Sequence, residues 1–90
     1  MMALASAPRF ARGVKFRMDH TRDAWVVLAP ERLFLPDEHA VEILKLVDGR
    51  RTVQDIASQL AERFAAPVEV ISDDVAAMLQ DLADKGVLES

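Results

Sequence analysis

The stretch Arg32-Leu33-Phe34-Leu35-Pro36-Asp37-Glu38-His39-Ala40-Val41-Glu42-Ile43-Leu44 holds the point at which the hydrophobic period of this chain changes. Arg32–Leu35 reads as a short strand that is apolar on both faces. Beyond Pro36, the apolar residues Ala40, Ile43, Leu44 and Val47 recur at i, i+3, i+4 and i+7, one stripe of a helix. Asp37 is placed to cap that helix, its carboxylate accepting from the free amides of the first turn. Strands therefore lie on the N-terminal side of Pro36 and helices on the C-terminal side.

Toward the N-terminus, Ala29-Pro30-Glu31 interrupts the pattern, because Pro30 cannot donate to a ladder. Trp25–Leu28 is a second strand, apolar on both faces, and the polar His20–Asp23 is a connecting turn without a glycine. Val14, Phe16 and Met18 alternate with Lys15, Arg17 and Asp19, the period of a half-buried strand. Residues 1–12 read as a loosely held tail, with a short amphipathic arm as the alternative. The first charge is Arg9, on the wrong side for a signal peptide. No apolar run approaches the roughly 18–20 residues that a membrane span needs. The chain is most simply cytoplasmic.

Toward the C-terminus, Asp48-Gly49 ends the first helix, with Gly49 free to turn left-handed. Thr52 caps a second helix and Asp55 can complete a capping box. Its stripe is Val53, Ile56, Ala57, Leu60, Ala61 and Phe64. Ala65-Ala66-Pro67 breaks the chain. A third helix, starting at Pro67 or Ser72, carries Val68, Ile71, Val75, Met78, Leu79 and Leu82. Gly86 stops it, and Val87-Leu88 suits a Schellman-type ending. The expected fold is α+β and winged-helix-like, a three-stranded antiparallel sheet followed by three α-helices, filling residues 13–90 as one domain.

Composition narrows the function. Ninety residues allow one small domain with a thin core. The absence of cysteine removes disulfide scaffolds, thiol nucleophiles and cysteine-based zinc sites together. His39 and Glu42, three apart on a solvated helix face, lack a converging second cluster, so no metal is expected. Asp73, Asp74, Asp81 and Asp84 read as the polar face of the third helix rather than as acid–base pairs. Three scattered glycines supply no phosphate-cradling loop. The reading is of a protein that is not an enzyme and needs no cofactor.

A helix-turn-helix with a small sheet raises the alternative of a DNA-binding regulator, and charge argues against it. Residues 1–36 hold six Lys/Arg and three Asp/Glu, net +3, whereas residues 37–90 hold five and twelve, net −7. Residues 67–90 carry Glu69, Asp73, Asp74, Asp81, Asp84 and Glu89 against Lys85 alone. A DNA reader needs cations there to replace condensed counterions. Binding of a peptide or protein remains. The short third strand offers a free edge, and apolar residues on both of its faces leave one face to solvent or a partner. The competing reading buries both faces in a tightly wrapped core. An open edge also allows a homodimer.

Several segments from Gly13 to Leu88 together resemble the PqqD family, the peptide chaperones of pyrroloquinoline quinone biosynthesis and prototype of the RiPP recognition element. They are Pro30-Glu31-Arg32, Ala40–Leu44 running into Asp48-Gly49, Thr52-Val53 with Ile56 and Leu60, Asp74-Val75 with Leu79 and Leu82, and Gly86-Val87-Leu88. Pro36-Asp37 stands where the family tends to have Leu-Asn, and Ala24 stands near an expected glycine. The resemblance implies a non-catalytic module that binds the precursor peptide PqqA and presents it to the radical SAM enzyme PqqE, with neither nucleic acid nor membrane as partner. It implies a docking edge at Arg32, Leu33, Phe34 and Leu35, with Asp74, Ala77, Met78 and Asp81 as the other wall of the groove.

Overall fold

The computed structural model describes residues 2–90. In chain order these form β1 (Arg9–Phe10), β2 (Lys15–Asp19), β3 (Ala24–Ala29), β4 (Arg32–Phe34), α1 (Glu38–Leu44), α2 (Val53–Phe64), α3 (Val68–Asp84) and β5 (Leu88–Glu89). β2, β3 and β4 make the expected antiparallel sheet in that order, with Phe16, Val27 and Phe34 in register. The turn without glycine is built by Asp19, whose Oδ1 accepts from the amides of Thr21 and Arg22 at 3.0 and 3.4 Å. Asp23 supplies the left-handed residue, at φ 53°. Leu35, expected within the third strand, lies just beyond it.

The inner face of the sheet carries an aromatic row. Phe10 stacks on Phe16 at 5.8 Å between centroids, and Phe16 on Trp25 at 4.8 Å. Behind it the core draws on every layer: Val27 from the sheet, Leu44 from α1, Ile56 from α2, Leu79 from α3 and Val87 from the end of the chain. Each fully buried aliphatic side chain contributes about 1.5–3 kcal/mol through lost apolar exposure. Among the described residues no polar or charged side chain is buried, so the core owes nothing to internal ion pairs. Among the described residues no helix is long and apolar enough to cross a membrane.

The helix ends follow local chemistry. Asp37 accepts from the Ala40 amide at 2.8 Å, and Thr52 and Asp55 form both halves of a capping box. At the end of α3 the Gly86 amide bonds to Ala83 and the Val87 amide to Leu82, the paired pattern of a Schellman turn. The same pattern closes α2, where the Ala65 and Ala66 amides reach Glu62 and Ala61, but the left-handed residue is Ala65. An alanine there costs about 1–2 kcal/mol that a glycine would not. α3 starts after Pro67, and Ser72 lies inside it. Two stripe assignments change. Phe64 is 53% exposed and Val68 is exposed as well, because both sit where the α2–α3 turn leaves the core.

Residues 1–12, expected as a tail, are instead tied to the domain wherever they are described; Met1 lies outside the described residues. β1 pairs with β5, Arg9 opposite Glu89 and Phe10 opposite Leu88, in a two-stranded ribbon that strand patterning did not predict. Met2 is only 8% exposed, and Pro8 is fully buried. The carbonyls of Leu4 and Ser6 accept from the amides of Gln54 and Val53 at 3.0 and 2.9 Å. With Thr52 donating to Asp55 and Asp55 to Thr52, all four otherwise unpaired amides at the start of α2 are satisfied. The segment is part of the fold because it supplies acceptors that α2 lacks.

Candidate functional site

Pro30 and Glu31 form a two-residue loop that joins Ala29 to Arg32, with Glu31 at φ 61°. Proline followed by a positive φ is the chemistry of a type II turn. Such a loop makes Ala29 and Arg32 the hydrogen-bonded closing pair, and pairs alternate along an antiparallel ladder. Leu33, opposite Leu28, is then a non-bonded pair whose N–H and C=O point away from β3. β4 is an edge strand, so those groups face outward.

The side chains of this segment divide by strand parity. Phe34 turns inward and packs on the core, with the Arg32 guanidinium 4.9 Å from its ring centroid. Leu33 and Leu35 turn the other way and are 43% and 61% exposed. Of the two readings left open by the sequence, burial of both faces is therefore wrong for β4: one face is core and the other is solvent.

The four α3 residues recur at i, i+3, i+4 and i+7, so they share one stripe. Asp74, Ala77 and Asp81 are exposed, and Met78 is half-buried against the core. Asp81 accepts from Lys85 Nζ at 2.8 Å. Asp74 borders a cleft of about 220 Å³ between α1, α2 and α3, whose walls include His39, Ile43, Leu60 and Phe64. β4 packs closely against β3. The structure thus gathers Arg32–Leu35 into one edge and the α3 residues into one helix face. Neither of the two main clefts is lined by residues from both sets.

The sequence did not point to the larger of those clefts. It measures about 720 Å³ and lies between the start of β3, α1 and the end of α2, lined by Trp25, Pro36, His39, Val41, Lys45 and Phe64 among others. Glu42 anchors its floor, bonded to Lys45 at 3.3 Å and to Arg63 at 2.6 Å. The bond from Lys45, with the nearby Arg63 charge, holds the Glu42 carboxyl below its ordinary value of 4.5 against an opposing effect of desolvation. Lys45 also lies 5.2 Å from the Trp25 ring centroid. The one available signal was Phe64, an aromatic ending a stripe beside a helix break. No group of three or more His, Asp or Glu residues among the described residues is arranged to hold a metal ion.

Fold and site together define a small α+β domain with one open edge strand and an acidic last helix. The family model for coenzyme PQQ synthesis protein D (PqqD) matches residues 24–88. The chain belongs to the PqqD family. A PqqA binding protein from Bradyrhizobium diazoefficiens is 57% identical over 84 residues, covering 93% of this chain and 82% of that protein. The bifunctional coenzyme PQQ synthesis protein C/D of Methylorubrum extorquens is 48% identical over 85 residues, 94% of this chain but 23% of that longer protein. Among solved structures, the solution NMR structure of the PqqD truncation of Methylobacterium extorquens PqqCD, described as a functional and stand-alone RiPP recognition element, aligns with a TM-score of 0.84 at 46% identity. That alignment covers all of this chain and 96% of the other. The crystal structure of PqqD from Xanthomonas campestris aligns at 0.59 and 34% identity over 94% of each chain.

Proposed function

We propose that this chain is a non-catalytic peptide chaperone of pyrroloquinoline quinone biosynthesis. It takes the precursor peptide PqqA as an added strand along β4 and presents it to the radical SAM enzyme PqqE. The observation that carries the reading is the outward-facing main chain of Leu33 on an edge strand with an exposed apolar face. In strand addition, main-chain hydrogen bonds supply affinity and alternate side chains supply register. Asp74, Ala77, Met78 and Asp81 form the facing wall, and their carboxylates favour a peptide bearing Lys or Arg. The similarity to PqqA binding proteins supports the choice of ligand.

A DNA-binding regulator would need cations on α3. Residues 67–90 offer only Lys85, which is already bonded to Asp81. Titration of the isotope-labelled chain with PqqA and then with duplex DNA, at moderate salt, decides between the two. The peptide is expected to shift the amides of Leu33 and Leu35 and the exposed face of α3, and DNA to leave them unmoved. DNA shifting α3 while peptide leaves Arg32–Leu35 untouched would overturn the proposal.

A further inference from the structure

The carboxylates of α3 differ in what surrounds them. Asp81 is bonded to Lys85 and Asp84 to the Gln80 amide. Glu69 and Asp73 line neither of the two main clefts. Asp74 borders the smaller cleft and makes no ion pair among the described residues. It is thus the one carboxylate of the helix that is both unpaired and set beside an apolar cleft.

That cleft measures about 220 Å³, below the range of roughly 300–1,000 Å³ of small-molecule sites and suited to a single side chain. Its apolar walls are Ile43 from α1, Leu60 and Phe64 from α2, and Ile71 and Val75 from α3. Ile71, Asp74 and Val75 stand at i, i+3 and i+4, so the Asp74 carboxylate lies at the margin of an apolar stripe. His39 and Glu42 complete the lining on the α1 side. Glu42 is already committed to Lys45 and Arg63, and both of those cations line the larger cleft rather than this one. No Lys or Arg lines the smaller cleft, so the charge of Asp74 stands uncompensated there.

A cleft with apolar walls and a free anion at its margin fits a side chain with a long aliphatic stem and a cationic head. Such a side chain packs its stem and keeps its head in water. His39 lies five positions beyond Phe34, the last residue of β4, a span of at most about 18 Å. An extended peptide paired to β4 reaches the cleft within about six residues. We infer that this cleft is a specificity pocket for one lysine or arginine of the bound peptide, with the stem against Ile43, Leu60, Ile71 and Val75 and the head on Asp74. The inference rests on the chaperone reading above and adds to it a single selecting residue.

The test is a double-mutant cycle read by calorimetric titration, with PqqA peptide as the probe. Each Lys and Arg of the peptide is replaced in turn by norleucine, which keeps an aliphatic stem and removes the charge. Asp74→Asn is expected to lower affinity about threefold to tenfold and to reduce its salt dependence. Asp73→Asn, one position away and off the cleft, should change affinity less than twofold, and thermal unfolding of both variants checks the fold. One norleucine peptide should bind wild type as weakly as PqqA binds Asp74→Asn, and combining the two changes should add no further loss. Equal losses from Asp73→Asn and Asp74→Asn mean a diffuse field of the helix and overturn the pocket. Additive losses for every norleucine peptide overturn it as well. Failure of the wild-type chain to bind PqqA overturns the chaperone reading instead, so the two failures are distinguishable.

Discussion

β1 and β4 are both very short strands, two and three residues long, and the fold treats them in opposite ways. β1 is enclosed. It pairs with β5, its Arg9 bonds Glu89 at 3.0 Å, and the Ala11 amide just beyond it bonds the Val87 carbonyl. The residues before it hand their carbonyls to Gly49, Val53 and Gln54. β4 pairs on one side only and turns Leu33 outward on the other. Each pairs on one side only, so neither length nor pairing separates the two strands. The residues around them do: they are bonded into the domain on both sides of β1 and leave Leu33 exposed on β4. One edge holds the domain together, and the other is the edge proposed to bind.

Removal of residues 2–8 is the most severe way to break this contrast. It takes Met2 and Pro8 from the core and leaves the Val53 and Gln54 amides without acceptors. A loss of about 3 kcal/mol or more is expected. Thermal unfolding followed by circular dichroism should then show a midpoint lower by roughly 12 °C or more. A midpoint unchanged within a few degrees would mean that the N-terminal segment is not structural.

Leu33→Pro attacks the other edge. Because the Leu33 N–H points away from β3, the substitution leaves the β3–β4 ladder intact and removes a donor that only an added strand would use. Affinity for PqqA is expected to fall about tenfold, roughly 1.4 kcal/mol, with a smaller loss of folding stability. Phe34→Pro should instead destabilise the fold, since that residue pairs with Val27. Calorimetric titration and chemical denaturation of the two variants give the comparison, and equal effects on binding and folding for Leu33→Pro would place that strand in the interior.

Ala65→Gly sharpens the contrast by leaving both edges alone. Relief of the left-handed alanine that closes α2 should raise stability by about 1 kcal/mol, read as a higher denaturant midpoint, with peptide affinity unchanged. The smallest effect belongs to pH and to the enclosed side. The Asp48 carboxylate accepts from the Arg51 and Arg50 amides, and these bonds hold its pKa below the ordinary 3.8. Its contribution is fully present above 3.8 and is lost as pH falls through the lowered folded value. Asp48→Asn should therefore flatten part of the acid limb of the stability curve, measured by denaturation between pH 5 and pH 2, and leave peptide binding at neutral pH unaltered.

Much of the fold was legible because its determinants are local. Asp37, Thr52 with Asp55, and Gly86 cap helices through groups within a few residues of one another, and strand parity separates Phe16 from Lys15. Ala65 was illegible for the same reason that Gly86 was not: its left-handed turn is imposed by the packing of α2 on α3 and leaves no compositional mark. Phe64 fits the α2 stripe by period, yet the helix ends before the core can cover it. Of the candidate site, the free edge followed from pattern, whereas the exposure of Leu33 and Leu35 was one of two readings that pattern left open. The cleft floored by Glu42 and Arg63 did not, since those residues are 21 positions apart and meet only when α1 and α2 pack.

The sequence by itself determined where strands give way to helices, which residues cap them, and that the positive charge lies with the sheet and the negative charge with the last helix. These depend on period, on caps and on counting. Tertiary structure decided that Arg9 meets Glu89, that Leu4 and Ser6 complete the start of α2, and that Glu42 meets Arg63. Pairing across 80 residues depends on which surfaces remain after the core has closed, and no local pattern carries that information.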